Sequence, residues 1–277
     1  MIMANEILIL GATGKTGKRV AGKLQKMGIP IRAGSRNGNP PFDWDRPENW
    51  ATVLDGVQKV YITYQPDFVV PGALEKIQRF VDATKKSGVQ QLVLLSGRGE
   101  KEAEESETIV MDSGLKWTVV RASWFMQNFS EFFFLDNILA GYLVVPKPKA
   151  LEPFVDLDDL ADVVIEALTD NKHNGKIYEL TGPELLSFND ATRMISEAIS
   201  KTIVYEEVDM DGYVKILRDY QIPEDVIWLM QYLFTEVLDG RNESIQNDIE
   251  NVLGRKPTTF REYAAKAGQT GVWNTKN

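Results

Sequence analysis

Apolar positions along the first half of the chain follow two alternating rhythms. Short, nearly unbroken apolar runs read as buried strands. They are Ile7-Leu8-Ile9-Leu10, Ile29 to Gly34, a short one at Phe42-Asp43-Trp44, then Lys59 to Thr63, Gln91 to Leu95 and Trp117 to Arg121. Between them, apolar residues spaced three and four apart read as helices. Lys18 to Met27 carries Val20, Ala21, Leu24 and Met27 on one face and stops at Gly28. Arg46 to Leu54 has Pro47 near its start and Gly56 past its end. Pro71 to Ser87 carries Leu74, Ile77, Phe80 and Val81 and stops at Gly88; Glu100 to Ser113 stops at Gly114. This alternation predicts an α/β fold with a doubly wound parallel sheet. Right-handed crossovers place the first and fourth strands at the switch point, where ligands collect at the strands' carboxyl ends.

The second half is less regular. Asp158 to Leu168 reads as a helix, with Asp159 as an N-terminal cap, and Lys176 to Thr181 as a strand. Ser187 caps a helix reaching about Ser200, with Asp190 in its first turn. Ile203 to Val208 is a further strand, and four short helical patterns run from Asp209 to about Ala267. No repeat or low-complexity linker interrupts the chain. The expected division is a domain over 1–182 and a smaller, mostly helical substrate lobe over 183–277.

Composition narrows the function classes. The 277 residues carry 31 basic and 40 acidic side chains, a formal charge of −9, with the basic residues scattered among carboxylates. A duplex-binding surface shows a basic patch, so direct nucleic-acid binding is not expected. No apolar run reaches the roughly 18 residues of a membrane helix, and the opening residues show no leader pattern. With no cysteine in the chain, thiol chemistry is excluded and a cytoplasmic location is expected. The one histidine, His173, lies in the turn-like Asp170 to Gly175 and reads as a solvated loop residue, which leaves no histidine-centred metal or nucleophile site.

The chemistry gathers at Gly11-Ala12-Thr13-Gly14-Lys15-Thr16-Gly17, between the first strand and the first helix. Free N–H groups of a helix's first turn, together with its dipole, favour a phosphate there. Glycines let the backbone turn sharply and the diphosphate come close. The spacing is G-x-x-G-x-x-G, and Lys18-Arg19 after Gly17 excludes the phosphate loop of nucleotide triphosphatases. In NAD-binding folds of the Rossmann type, an acid about 20 residues past the glycines holds the adenosine ribose. Arg36 stands there, and the next carboxylate is Asp43. Arginine offers a fork of donors to a 2′-phosphate, so NADP(H) is the expected cofactor. Asp43 and Trp44 are candidates for the adenine side. Tyr64 and Pro66 after the fourth strand, and Ser96, Gly97 and Arg98 after the fifth, are candidates for the nicotinamide side. Trp124, Phe125, Asn128 and Phe129, with Trp228 and Tyr232, are candidates for a flat, apolar substrate pocket. The acidic run Glu100, Glu102, Glu104, Glu105 and Glu107 reads as a solvated helix face, with Glu100 alone near the cleft.

Several segments together resemble the NmrA-like family of atypical short-chain dehydrogenases/reductases: the glycine turn with Thr13, Arg36, Ser113 to Arg121, Trp124 to Phe129, Pro153 to Ala161, and Tyr178 to Pro183. Phe42 to Trp44 and Gly182 to Ser187 resemble the festuclavine/agroclavine dehydrogenase subgroup, whose relatives include azoreductases and quinone reductases. The resemblance implies a Rossmann-type fold and either hydride transfer from NADPH or redox sensing of the nucleotide without turnover, the latter with a protein partner. Short-chain dehydrogenases usually use Tyr-x-x-x-Lys, the tyrosine as general acid. Counting back from Ser113-Gly114 puts those roles at Gly99 and Ala103, and no Tyr-x-x-x-Lys occurs in the chain. Quinones, azo bonds, iminium ions and activated alkenes are then the expected acceptors, because they need no positioned tyrosine.

Overall fold

The computed structural model describes residues 6–274; the opening residues 1–5, on which the leader expectation falls, lie outside them. Contacts divide the chain into two compact units. One comprises the chain up to Ala122, Leu157–Leu180 and Asn251–Gly254; the other comprises Ser123–Asp156, Thr181–Glu250 and the chain from Arg255. The sequence reading has one division, after 182, whereas the contact units interleave along the chain.

The first unit opens with β1 (Glu6–Leu10), α1 (Lys15–Lys26), β2 (Ile31–Gly34), a 3-10 turn over Pro47–Asn49, α2 (Trp50–Leu54), β3 (Val57–Ile62), α3 (Ala73–Lys86), β4 (Gln91–Gly97), α4 (Lys101–Met111) and β5 (Lys116–Ala122). The chain then enters the second unit through α5 (Asn128–Glu131), α6 (Leu135–Ala140) and β6 (Tyr142–Pro146). It returns to the first with α7 (Leu157–Thr169) and β7 (Lys176–Leu180). The six strands pair in parallel in the order β2-β1-β3-β4-β5-β7. The chain crosses from β2 past β1 to β3, which makes β1 and β3 the switch point, as the alternation predicts. Leu8, Leu10, Val60, Ile62, Leu92 and Leu94 pack with Trp50, Ile77, Phe80 and Val81. The alternate residues Ile7, Ile9, Tyr61 and Val93 are buried on the opposite face. On that side α1 is tied to α7 by Arg19 to Asp158 at 3.3 Å and by Lys23 to Asp162.

One expected strand is not formed. Phe42 to Trp44 leaves the sheet order, because Pro40 and Pro41 precede it and supply no N–H for pairing. The Phe42 amide instead closes a loop onto the Ser35 carbonyl at 2.9 Å. Its ring joins Trp44, Trp50 and Phe80 in an aromatic cluster with centroids 5.1 to 6.2 Å apart.

The second unit continues with α8 (Phe188–Ile199), β8 (Val204–Val208), α9 (Met210–Asp219), α10 (Glu224–Tyr232), a π-turn over Leu233–Val237, α11 (Asp248–Leu253) and α12 (Phe260–Gln269). β6 and β8 form a two-stranded parallel sheet, with Tyr142 opposite Val204 and Pro146 opposite Val208. Its core centres on Phe129, which meets Phe134, Phe154, Phe188 and Phe260 at 5.1 to 6.1 Å. Trp273 donates its indole N–H to the Phe129 carbonyl at 2.8 Å. The predicted Ser187 cap is present as a reciprocal box with Asp190.

Candidate functional site

The glycine turn is built by close approach. Gly11 takes φ +62°, and a Cβ on it would stand 2.6 Å from Thr63 Oγ1. A Cβ on Gly17 would stand 2.1 Å from the Gly11 carbonyl oxygen, so α1 starts in contact with the turn before it. Gly14 is the N-cap, without a side-chain cap, and α1 has no acidic residue in its first turn. Its N-terminal dipole is therefore left for an anion. Thr13 is exposed, Lys15 half-buried and Thr16 buried. Thr63, just past β3, donates to the Leu10 carbonyl at 3.2 Å. Gln65 reaches over Gly14, its Nε2 3.2 Å from where a Cβ would be. The loop after β3 thus lies against the turn after β1.

Beyond β2, Arg36 is exposed and has no ion-pair partner among the described residues. Asp43 is half-buried, and its carboxylate accepts from the Asp45 amide at 3.0 Å. Trp44 packs edge-on to Phe80 and 5.1 Å from Tyr64, whose ring also stacks on Phe68 at 5.8 Å. Burial raises the Tyr64 pKa, and a hydrogen bond from Lys76 opposes the rise. Pro66 is exposed.

At the end of β4 the three predicted residues have separate partners. Ser96 donates to Glu107 at 2.6 Å. Gly97 leaves room for the Glu100 carboxyl group, which lies 2.3 to 2.6 Å from where a Cβ on Gly97 would be. Arg98 is buried and pairs with Glu179 on β7 at 3.0 Å. The same network takes in Arg121 on β5, which grips Glu107 through Nε and Nη2 at 2.6 to 3.1 Å and Glu179 through Nη1 at 3.3 Å. Glu107 is therefore fully buried, and the solvated-face reading does not hold for it. Its hydrogen bond to Arg121 raises the guanidinium's pKa. His173 is also buried, at 2% exposure, with Nδ1 2.8 Å from the Tyr178 hydroxyl, so it is not a solvated loop residue. Asp159 lies inside the first turn of α7, buried, and not at its cap.

Sequence reasoning missed one pairing. Asp67, in the loop after β3, and Glu100, at the N-cap of α4, act on each other electrostatically. Burial, then the Asp67 charge, pushes the Glu100 pKa well above its ordinary value. Burial also raises the Asp67 pKa, against the N–H groups of Val69 and Phe68. No local pattern announces this pair, since two loops from different strands bring it together.

The six substrate-pocket candidates all fall in the second unit. Trp124 is half-buried against Phe188 and Phe234 at 5.6 and 5.2 Å, and its amide donates to Glu152 at 3.0 Å. Phe125 bridges to Val155. Asn128 is buried, and Phe129 is fully enclosed in the core. Trp228 is 45% exposed and stacks on Tyr232 at 6.0 Å, with the rings 22° apart.

The family model described as "NmrA-like family" matches residues 3–264. The chain belongs to the NmrA-like family. Among NmrA-like and related proteins, it is 26% identical to prestalk A differentiation protein A of Dictyostelium discoideum, covering 93% of this chain and 91% of that one. It is 26% identical to the agroclavine dehydrogenase of Claviceps fusiformis, over 96% and 98% of the two chains. Among solved structures, the NADPH-dependent quinone oxidoreductase QOR2 of Escherichia coli, crystallised with NADPH, superposes with a TM-score of 0.79. It covers 94% of this chain and 99% of that one at 18% identity, which speaks to the fold alone. The Rossmann-type sheet expected from the NmrA-like resemblance is the fold observed.

Proposed function

We propose that this protein is an NADPH-dependent reductase that passes hydride to a small, flat, electron-poor organic acceptor such as a quinone, an azo compound, an iminium ion or an activated alkene. The observation that carries the reading is the turn after β1. It is packed so closely that a Cβ on Gly11 or Gly17 would clash with Thr63 or the Gly11 carbonyl, it opens on a helix N-terminus without a side-chain cap, and Arg36 stands exposed beyond β2. These residues suit a dinucleotide with a 2′-phosphate. Gly11, Thr13, Gly14, Lys15, Thr16 and Gly17 would hold the diphosphate, and Arg36 the 2′-phosphate. Asp43 and Trp44 would flank the adenine. Tyr64, Pro66 and the backbone of Ser96 to Arg98 would border the nicotinamide, since the Ser96 and Arg98 side chains are turned to Glu107 and Glu179.

Bound NADPH supplies a hydride to the acceptor. The chain's own part is to bind, orient and keep water away. Trp124, Phe125, Asn128, Phe129, Trp228 and Tyr232 are the candidates for the acceptor's surroundings. Phe129 would act only from behind, through the rings that pack on it. The agroclavine dehydrogenase among the similar proteins agrees with this reading. The missing Tyr-x-x-x-Lys favours a second reading, a nucleotide-sensing regulator that changes a protein partner when NADPH gives way to NADP+.

Following NADPH absorbance with a panel of quinones, azo dyes and iminium salts separates the two. Steady oxidation with at least one acceptor is expected. Saturable nucleotide binding with no oxidation on any acceptor overturns the reductase reading in favour of the sensor.

A further inference from the structure

We propose that Glu107 is a positioning residue for the nicotinamide end of the cofactor: it holds the end of β4, on both sides of Gly97, in the shape against which the ring would rest. The inference deepens the reductase reading above and rests on it. Gly97 cannot hold itself. A Cβ there would stand 2.3 to 2.6 Å from the Glu100 carboxyl group, so no side chain fits to pack the backbone in place. Its two neighbours are held instead, and both lead to Glu107. Ser96 donates directly to Glu107 Oε1 at 2.6 Å. Arg98 is reached the long way round. Glu107 accepts from Arg121 Nη2 at 2.6 Å, Arg121 Nη1 donates to Glu179 at 3.3 Å, and Glu179 accepts from Arg98 Nε at 3.0 Å. The Arg98 amide donates to the Ala122 carbonyl at 3.1 Å, which ties the end of β4 to the end of β5.

The network supplies geometry more than stability. Two carboxylates, Glu107 and Glu179, face two guanidinium groups, Arg98 and Arg121, so their charges cancel. Ser96, Arg98 and Glu107 are buried. An intact buried ion network is often no more stabilising than apolar side chains of the same volume. Its hydrogen bonds, however, fix directions that apolar packing leaves loose. Both Glu107 oxygens are engaged: Oε1 accepts from Ser96 and from Arg121 Nε, and Oε2 from Arg121 Nη2. The residues so held close β4 at its carboxyl end, the edge of a doubly wound sheet where ligands collect. What the network offers the nicotinamide is a fixed backbone.

Two ligands separate positioning from folding. NADPH spans the whole site, and 2′-phospho-ADP-ribose is the same molecule without its nicotinamide. Glu107→Gln keeps the size of the side chain but offers one acceptor oxygen where the carboxylate offers two, so Ser96 and Arg121 can no longer both be held in full. Calorimetric titration should show its NADPH affinity falling by up to roughly tenfold, the worth of one hydrogen bond, with 2′-phospho-ADP-ribose bound as by wild type. With a quinone that wild type reduces, kcat should fall by up to roughly a hundredfold, since the ring is bound but misplaced. Ser96→Ala cuts only the direct link and leaves Arg121 paired. It should show the same split in smaller measure, and it carries the test if Glu107→Gln does not fold. Equal losses for the two ligands, or no loss for either, overturn the positioning role and leave the reductase reading standing wherever wild type reduces the quinone. A wild type that binds both ligands equally well and reduces no acceptor has no nicotinamide seat, and it overturns the reductase reading and the positioning role together.

Discussion

Arg36 is an exposed cation with no acidic partner among the described residues, close to the end of a strand beside the glycine turn. Such a side chain has little structural work, so its replacement isolates recognition from folding. Arg36→Asp should weaken NADPH binding by about 1–3 kcal/mol, from fivefold to more than a hundredfold, with NADH affinity little changed. Fluorescence titration of both nucleotides reads this directly, and equal NADPH affinity in both proteins removes Arg36 from the site. Arg36 and the glycines were legible because their placement follows from local order alone: strand, turn, helix, next strand. Glu107 and His173 were not. Each looks solvated in its own segment, and each is buried because of distant partners. For Glu107 these are Ser96 and Arg121; for His173 the partner is Tyr178 on the next strand. Burial of a polar group is decided by what neutralises it, and periodicity carries no record of that.

At the scale of elements, two kinds of helix anchoring can be ranked. The Ser187–Asp190 box satisfies donors at one half-buried helix start. Glu107 instead ties α4 to β4 and β5 through a buried carboxylate that accepts from Ser96 and Arg121. Ser187→Ala should cost about 1 kcal/mol. Glu107→Ala leaves Arg121 without its bidentate partner and should cost about 3 kcal/mol or more. Urea denaturation of the two variants should return that order, and a Glu107→Ala protein as stable as Ser187→Ala would show that water replaces the lost carboxylate. The strong strand runs of the sheet were readable because both faces are covered, which makes them continuously apolar. Phe42 to Trp44 has the same look, and its aromatic residues do find a core, but as a loop clamped by Trp50 and Phe80. β6 escaped notice: among the described residues its only strand partner is β8, and the pairing runs from Tyr142 to Val204, far along the chain.

For the whole molecule, the Asp67–Glu100 pair gives stability a particular pH dependence. Both pKa values are raised in the folded state. The native protein therefore holds protons that the unfolded chain releases. The pair's contribution is full below the ordinary carboxylate range and is lost as pH rises from about 4 toward the raised values. Exposed carboxylates such as Asp239, pulled down to about 2 by Arg241, act in the opposite sense and at lower pH. The difference between wild type and Glu100→Gln isolates the pair. Thermal or urea unfolding from pH 4 to 8 should show the variant gaining on wild type by up to about 1.4 kcal/mol per pH unit, and parallel curves would show that Glu100 ionises normally. The interleaving of the two units bears on how the chain emerges during synthesis. All six strands of the large sheet have been made once Leu180 has appeared. By then Phe129, Phe134 and Phe154 have also been made, but the rings that enclose them, Phe188 and Phe260, have not. The nascent protein thus carries a finished set of strands alongside an uncovered aromatic cluster, which Phe260 of α12 and Trp273 beyond that helix cover only once they too have been made.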